Sequence, residues 1–146
     1  MLVTNHSQIN SQIILDIPTS GKTLHNITDQ VQTVVSTAKV QIGICHLFLR
    51  HSSASLIIQE NADSDVLLDL ENFFARLVPE NHKSYRHCSE GDDDMPAHIR
   101  TALTSTSEAI PIANGKLMLG TWQGIYVWEH RSLGRTREVV VNICGN

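Results

Sequence analysis

The chain has 146 residues, of which 41% are hydrophobic and 18% charged, a balance typical of one globular domain spanning residues 1–146. Its net charge of −4 and its pI near 6.0 argue against a nucleic-acid binder, because such proteins carry a basic stripe. No apolar run approaches the roughly 20 residues of a membrane span, and the N-terminus lacks the pattern of a secretory signal, so we expect no membrane partner. Three cysteines without a C-x-x-C pair favour reduced thiols and a cytoplasmic protein.

The first half of the chain is predicted to contain three strands and two helices. Alternating apolar residues predict a strand over residues 7–17, and apolar residues at helical spacing predict a helix over 24–38. Two strands are expected at 42–50 and 55–59. A second amphipathic helix is expected over 66–77, because its apolar residues recur on one face and aspartates precede it.

The second half is predicted to be mostly hairpins. After a polar loop, a short helix begins near Pro96, a preferred first-turn residue. Strands at 108–113 and 117–119 flank Asn114-Gly115, a strong hairpin signal, and two more are expected at 124–129 and 138–144. These elements predict a single α+β domain with a mainly antiparallel, sandwich-like sheet and two to three helices.

The segment from Tyr85 to His98 concentrates titratable side chains around a glycine and a proline. Its three successive aspartates, 92–94, repel each other by roughly 1 kcal/mol per pair at 4 Å in water. We therefore expect either a solvated acidic turn or a pocket that holds a cation or shares a proton.

Histidines near this segment suggest a metal. His87 and His98 bracket the acidic turn, and His51 opens a polar segment after a predicted strand. Three neutral imidazoles with one open position are typical of a catalytic zinc site. The alternative is that each is an ordinary exposed or hydrogen-bonded histidine. We expect no functional role for three others, His6, His25 and His82, and we expect His46 to be a core histidine.

The C-terminal third contributes a basic turn and a strand with unusual composition. Arg131, Arg135 and Arg137 surround Gly134, and guanidinium groups fork onto phosphate oxygens, so this turn is either a phosphate-binding site or a solvated hairpin tip. A charged Glu129 among apolar residues predicts a buried, hydrogen-bonded carboxylate. The nearby aromatic residues fit either the core or a subunit contact; they are Trp122, Tyr126 and Trp128.

Five segments of the sequence together resemble the YjbQ-like family, whose members are described as secondary thiamine-phosphate synthases. The segments are His51-Ser52-Ser53-Ala54-Ser55, Glu60-Asn61-Ala62-Asp63, Tyr85-Arg86-His87, Glu90-Gly91-Asp92-Asp93-Asp94-Met95-Pro96-Ala97-His98-Ile99 and Leu119-Gly120-Thr121-Trp122-Gln123-Gly124-Ile125-Tyr126. Two small departures are Ser52, where threonine is common, and Ser64, where proline is usual. The resemblance implies an α+β domain that assembles as a homotrimer, with its site near a subunit boundary. It also implies a weak ability to join a hydroxymethylpyrimidine diphosphate to a thiazole phosphate with release of pyrophosphate.

These observations give one leading hypothesis and two alternatives. In the leading hypothesis a divalent ion, zinc or else magnesium with a diphosphate substrate, neutralises the leaving group of a thiamine-phosphate synthase. The alternatives are a non-catalytic trimeric module that binds a metal or metabolite, and a metal-dependent hydrolase. The expected metal ligands are His51, His87 and His98; the expected catalytic residues are His98, Glu90, Asp92 and Asp94; and the residues expected to bind the phosphorylated metabolite are Arg131, Arg135, Arg137, Ser53 and Gln123.

Overall fold

A computed structural model describes residues 8–146, which form eight strands and three helices. The N-terminal segment lies outside the described residues, together with His6 and the beginning of the first predicted strand at Ser7. The strands are β1 (Ile9–Pro18), β2 (Leu24–Asn26), β3 (Ile42–Leu49), β4 (Ala54–Glu60), β5 (Ser107–Ala113), β6 (Lys116–Leu117), β7 (Gln123–Glu129) and β8 (Thr136–Gly145), and the helices are α1 (Thr28–Ala38), α2 (Ser64–Leu77) and α3 (Asp94–Leu103).

The strands form two antiparallel sheets. The larger has the order β1-β8-β3-β5-β6, and the smaller has the order β2-β7-β4. Strand β8 pairs along its whole length with β1, from Ile9 opposite Gly145 to Pro18 opposite Thr136. The prediction of a mainly antiparallel α+β domain is therefore confirmed.

The buried side chains of both sheets and of α1 form one hydrophobic core. Alternate residues of β3 and β8 point into it, and β4, β7 and the buried face of α1 complete it. Each fully buried aliphatic side chain contributes roughly 1.5–3 kcal/mol relative to an exposed one. Its principal members are Val31, Val35, Cys45, Leu47, Leu49, Leu56, Ile125, Val127, Val139, Val141 and Ile143.

Most predicted elements are displaced by one or two residues, and two differ more from the structure. The predicted helix over 24–38 begins only at Thr28, because Leu24–Asn26 instead pairs with β7, with Leu24 opposite Trp128. The predicted strand over 117–119 is reduced to Lys116–Leu117. The turn that joins β5 to β6 is as expected, since Asn114 and Gly115 have φ values of 52° and 71°.

Helix α2 covers one face of β7. The rings of Phe74 and Trp128 meet edge to face with centroids 4.9 Å apart, and Trp128 Nε1 donates to Glu71 Oε2 at 2.9 Å. Tyr126 and Trp128 are consequently buried within the chain. They belong to the core, so the idea that they form a subunit contact is corrected; Trp122, in the loop before β7, is 62% exposed.

The outward face of the larger sheet carries several exposed apolar side chains among polar ones. Ile14 on β1 lies opposite Val140 on β8, which in turn lies opposite Phe48 on β3, with Ile44 further along β3. His46 shares this face, and the prediction that it is a core histidine is wrong, because the alternate residues of β3 point into the core. We call Ile14, Ile44, Phe48 and Val140 the outward sheet face. Within residues 8–146, no helix is long and apolar enough to cross a membrane.

Candidate functional site

His87, Asp94 and His98 form a compact cluster. One nitrogen or oxygen of each side chain lies within 4.8 Å of the others. Asp94 Oδ2 is 2.6 Å from His87 Nε2 and 3.5 Å from His98 Nε2. Two imidazoles and one carboxylate are the donor set of some catalytic zinc sites, in which a fourth position stays open. The chemistry of these three donors therefore fits a divalent ion.

Local structure explains how the three side chains meet. Asp94 is the first residue of α3 and His98 follows four residues later, so both lie on the same face of the helix, one turn apart. The preceding loop turns back at Gly91, whose φ is 109°. A Cβ atom at Gly91 would lie only 3.1 Å from Asp93 Oδ1. The glycine thus permits the close turn between His87 and the beginning of α3.

The cluster has a buried carboxylate and two accessible imidazoles. The side chain of Asp94 is 2% exposed, whereas those of His87 and His98 are 42% and 32% exposed. His87 also lines an adjacent polar cavity of about 220 Å³ with Tyr85, Cys88 and Asp92. A small molecule could therefore reach the two imidazoles without unfolding of the loop.

The imidazole of His98 has a defined orientation. Its Nδ1 lies 2.8 Å from the carbonyl oxygen of Ser52. A carbonyl can only accept a hydrogen bond, so Nδ1 carries a proton and, in the neutral ring, Nε2 carries the lone pair. Hydrogen bonds of this kind orient the histidine ligands of metal sites.

Asp94 is held in its charged form. Burial raises its pKa, but the hydrogen bond from His87 and the charge of Arg131 outweigh that effect and keep the pKa below the usual value. Arg131 Nη1 donates to Asp94 Oδ1, while Arg131 Nε donates to Asp93 Oδ2 at 3.2 Å. Asp93 also has a lowered pKa, because hydrogen bonds from Ser132 and Arg131 outweigh its burial. Ionised carboxylates are the form that a cation requires.

The structure corrects the predicted triad of histidines by placing Asp94, and not His51, beside His87 and His98. His51 Nε2 accepts the backbone N–H of Glu138 at 2.9 Å. Burial, followed by the charge of Arg137, lowers the pKa of His51. The hydrogen bond to Nε2 of His51 therefore attaches the polar segment after β3 to β8.

Two of the three arginines predicted to bind phosphate are occupied by carboxylates. Arg131 is paired with Asp93 and Asp94, and the buried Arg137 is paired with Glu129 through an Nε–Oε2 hydrogen bond of 2.7 Å. Arg135 is exposed. The predicted basic turn is thus mainly a set of internal ion pairs, because each guanidinium neutralises a carboxylate that folding has removed from water.

Glu129 is the buried, hydrogen-bonded carboxylate that the sequence predicts. It accepts hydrogen bonds from the hydroxyl of Thr19 at 2.6 Å and from the backbone N–H of Arg131 at 2.9 Å, in addition to those from Arg137. Burial raises its pKa, but these partners outweigh it and the pKa is lowered.

The remaining predicted residues are only partly brought to the cluster. Glu90 and Asp92 are exposed on the same loop, and the carbonyl of Ser53 accepts from Arg137 Nη2 at 3.2 Å. Gln123 lies at the end of β7 remote from Glu129, about 20 Å away along a seven-residue strand. Its Oε1 accepts the backbone N–H of Gly120 at 2.7 Å, so this side chain stabilises its own loop.

Two features of the site were not predicted in full. Asp94 was expected among the catalytic residues and not in the set of metal ligands, although its i, i+4 spacing from His98 could have identified it as the third donor. The Ser52 carbonyl that orients His98 had no sequence signal, because a backbone group carries no residue-specific pattern.

Comparison with known proteins agrees with this architecture. The family described as "UPF0047 protein YjbQ-like" matches residues 13–146. A UPF0047 protein of Synechocystis is 61% identical over 134 residues, covering 92% of this chain and 91% of that protein. The YjbQ protein of Escherichia coli is 40% identical over 135 residues, covering 92% and 97%.

Solved structures show the same fold. A YjbQ/UPF0047 protein of Clostridium acetobutylicum superimposes with a TM-score of 0.82 at 36% identity, covering 90% of this chain and 98% of that one. A protein of Sulfolobus solfataricus, described as YbjQ-like, gives a TM-score of 0.86 at 26% identity, covering 95% and 99%. On its sequence, its fold and its relatives, the chain belongs to the YjbQ-like (UPF0047) family.

Proposed function

We propose that the chain is a metal-dependent enzyme that acts on a phosphorylated small molecule at the His87–Asp94–His98 cluster, and that thiamine-phosphate synthesis is its reaction. The observation that carries the metal is the contact between His98 and Asp94. With Nδ1 of His98 donating to Ser52, a neutral ring turns an acceptor nitrogen toward a carboxylate oxygen 3.5 Å away. Two acceptors at that distance repel each other unless the ring is protonated or a cation lies between them.

The three side chains would hold the ion through Nε2 of His87, Oδ2 of Asp94 and Nε2 of His98. The proton of the hydrogen bond between His87 and Asp94 would be lost on metal binding, because a histidine ligand must present a lone pair. Zinc suits this mixture of nitrogen and oxygen donors, and magnesium is the alternative if a diphosphate supplies most of the ligands. The bound ion would supply a Lewis acid that neutralises negative charge on a departing diphosphate.

The proposed reaction, which the family resemblance implies, is a displacement at carbon. The thiazole nitrogen forms a bond to the methylene carbon of the pyrimidine as the bond from that carbon to the diphosphate oxygen breaks, and the electron pair leaves with pyrophosphate. Glu90 and Asp92, exposed beside the cluster, would repel a diphosphate in the absence of a cation. Arg135, the exposed arginine of the basic turn, is the candidate to contact a phosphate group of the substrate. The displacement transfers no proton, so Asp92, in the wall of the cavity, would act through its charge.

A metal-dependent hydrolase is the second candidate. The observation that favours it is the exposure of both imidazoles, which leaves the proposed site open to water as well as to a second substrate. A non-catalytic binding module would use the same ligands without turnover.

One assay separates these functions. The two purified precursors are incubated with wild-type protein, with metal-depleted protein and with His98→Ala, while pyrophosphate and thiamine phosphate are measured. His46→Asn is the matched control, because that histidine is exposed and lies outside the cluster. Since it shares the outward sheet face, light scattering should show that this variant has the same mass as the wild type. Product that forms only with both precursors and metal, and is lost in His98→Ala, supports the synthase.

The other outcomes assign the remaining candidates. Phosphate or pyrophosphate released from the pyrimidine diphosphate alone indicates the hydrolase. Bound metal without turnover indicates the binding module, and equal product from wild type and His98→Ala contradicts the whole proposal.

We also propose a homotrimer in the cytoplasm. The trimer number rests on the family resemblance, and the outward sheet face supports self-association because an exposed apolar sheet surface of this kind favours a partner. The reduced compartment is supported by the free thiols of Cys45, Cys88 and Cys144.

A further inference from the structure

The two carboxylate oxygens of Asp94 have different partners. Oδ2 faces the imidazoles of His87 and His98, whereas Oδ1 accepts from Arg131 Nη1. A buried carboxylate needs partners for both oxygens, since an unsatisfied one costs about 1–3 kcal/mol or more. The guanidinium therefore fixes the orientation of the carboxylate, with one oxygen on Arg131 and the other facing the two histidines.

Arg131 is itself fixed by several contacts. Its backbone N–H donates to the buried Glu129 at 2.9 Å, its Nε donates to Asp93 at 3.2 Å, and its Nη2 donates to the carbonyl of Glu90 at 2.8 Å. The next backbone N–H, from Ser132, donates to Asp93 Oδ2 at 2.7 Å. These bonds join the end of β7 to both sides of the turn at Gly91.

We propose that Arg131 is the positioning residue of the metal site, which holds the loop at residues 90–94 against the end of β7 and turns Oδ2 of Asp94 toward His87 and His98. This inference rests on the proposed metal site. It replaces the expectation that Arg131 binds substrate phosphate, because its donors are already directed at Asp93, Asp94 and Glu90.

The charge of Arg131 provides a test of this role, since positioning and electrostatics predict opposite signs. A cationic side chain next to the site repels a dication, so electrostatics alone predicts tighter metal binding once that charge is removed. Positioning predicts weaker binding, because Asp94 is then free to rotate away. Loss of groups that orient metal ligands typically costs 10–100-fold in metal affinity.

The experiment titrates metal-depleted full-length protein with Zn²⁺ alone by calorimetry, and with Co²⁺ by visible absorption, which reports the coordination geometry. The variants are Arg131→Met, which removes the charge, and Arg131→Lys, which keeps the charge but loses the planar fork. Arg76→Met, on the exposed surface of α2, is the control for a lost positive charge. We expect about 10–100-fold weaker Zn²⁺ binding in both Arg131 variants, an altered Co²⁺ spectrum, and wild-type behaviour in the control.

A second pair of variants applies if Arg131→Met does not fold, which a thermal melt detects. Asp93→Asn removes a charged partner of Arg131, and Asp92→Asn makes the same charge change at an exposed neighbour. Weaker Zn²⁺ binding in Asp93→Asn than in Asp92→Asn supports positioning, and equal binding overturns it. Unchanged or tighter binding in Arg131→Met overturns the inference while leaving the metal site intact, whereas wild-type protein that binds neither ion refutes both.

Discussion

The Arg137→Met substitution tests the buried ion pair between Arg137 and Glu129. Arg137 and Glu129 are both buried, and the guanidinium contributes Nε at 2.7 Å and a second contact through Nη2. Methionine keeps much of the length but leaves Glu129 with only Thr19 and the backbone N–H of Arg131 as partners. The variant therefore contains a buried carboxylate without a counter-charge.

The expected loss follows from this arrangement. Breaking a fully buried pair by removing one partner costs about 3–5 kcal/mol. For a chain of 146 residues, each 1 kcal/mol corresponds to about 2–4 °C, so we expect the melting temperature to fall by about 6–20 °C. Arg135→Met, an exposed position in the same turn, should change it by no more than about 2 °C.

The stability loss in Arg137→Met should depend on pH, because Glu129 titrates differently in the variant and in the wild type. In the wild type the pKa of Glu129 is lowered, so its stabilisation is complete above its ordinary pKa of 4.5 and is lost as the pH falls through the lower folded value. Without Arg137, no counter-charge offsets the effect of burial, so we expect the pKa of Glu129 to rise and protonation to remove the cost of the buried charge. The difference in stability between variant and wild type should therefore shrink as the pH is lowered from 7 toward 4.

Urea unfolding of four proteins measures the coupling: wild type, Arg137→Met, Glu129→Gln and the double variant. Glutamine keeps one acceptor oxygen, which can serve the N–H of Arg131, and its NH2 group can donate to the hydroxyl oxygen of Thr19. Because glutamine is also uncharged, the double variant should be more stable than Arg137→Met alone. A loss below about 1 kcal/mol in Arg137→Met, or a loss that grows on acidification, would refute the reasoning.

Three further predictions concern separate regions. Burial, with a contribution from Arg100, lowers the pKa of His130 to about 3. The stability of the folded protein should therefore be unaffected by this residue above pH 6.5 and should fall by about 5 kcal/mol at most between pH 6.5 and pH 3. Urea unfolding of His130→Phe should show a smaller loss of stability over this range. Burial raises the pKa of Cys45 to about 12, whereas Cys88 is exposed. In a reaction of native protein with a disulfide reagent, Cys88→Ser should therefore remove the fastest phase, and Cys45 should react only on unfolding. If the outward sheet face holds the proposed trimer together, Phe48→Glu should reduce the mass measured by light scattering to that of a monomer. Leu133→Glu is the control, because Leu133 is 80% exposed and lies outside that face. A trimer that survives Phe48→Glu would exclude this face as the contact.

The sequence determined most of the secondary structure because that information is local. Period-two alternation located β1, helical spacing located α2, and Asn114-Gly115 located a turn whose positive φ angles few other residue pairs adopt. Glu129 could be recognised as buried because a charge within an apolar strand has no solvent to face. The resemblance in five segments correctly indicated the family that the comparisons show.

Only the tertiary structure decided which polar groups meet. Leu24–Asn26 joined a sheet because β7 offered a partner about 100 residues away, and His46 was placed outside the core by the facing of β3. The attachment of His51 to Glu138 and the pairing of Arg131 with Asp94 depend on contacts between residues 87 and 37 positions apart, whereas Arg137 meets Glu129 from eight positions away. Residue types and spacing restrict what a side chain can bind, but the partner that satisfies a buried charge is chosen by distance, and distance between remote segments is fixed only when the chain folds.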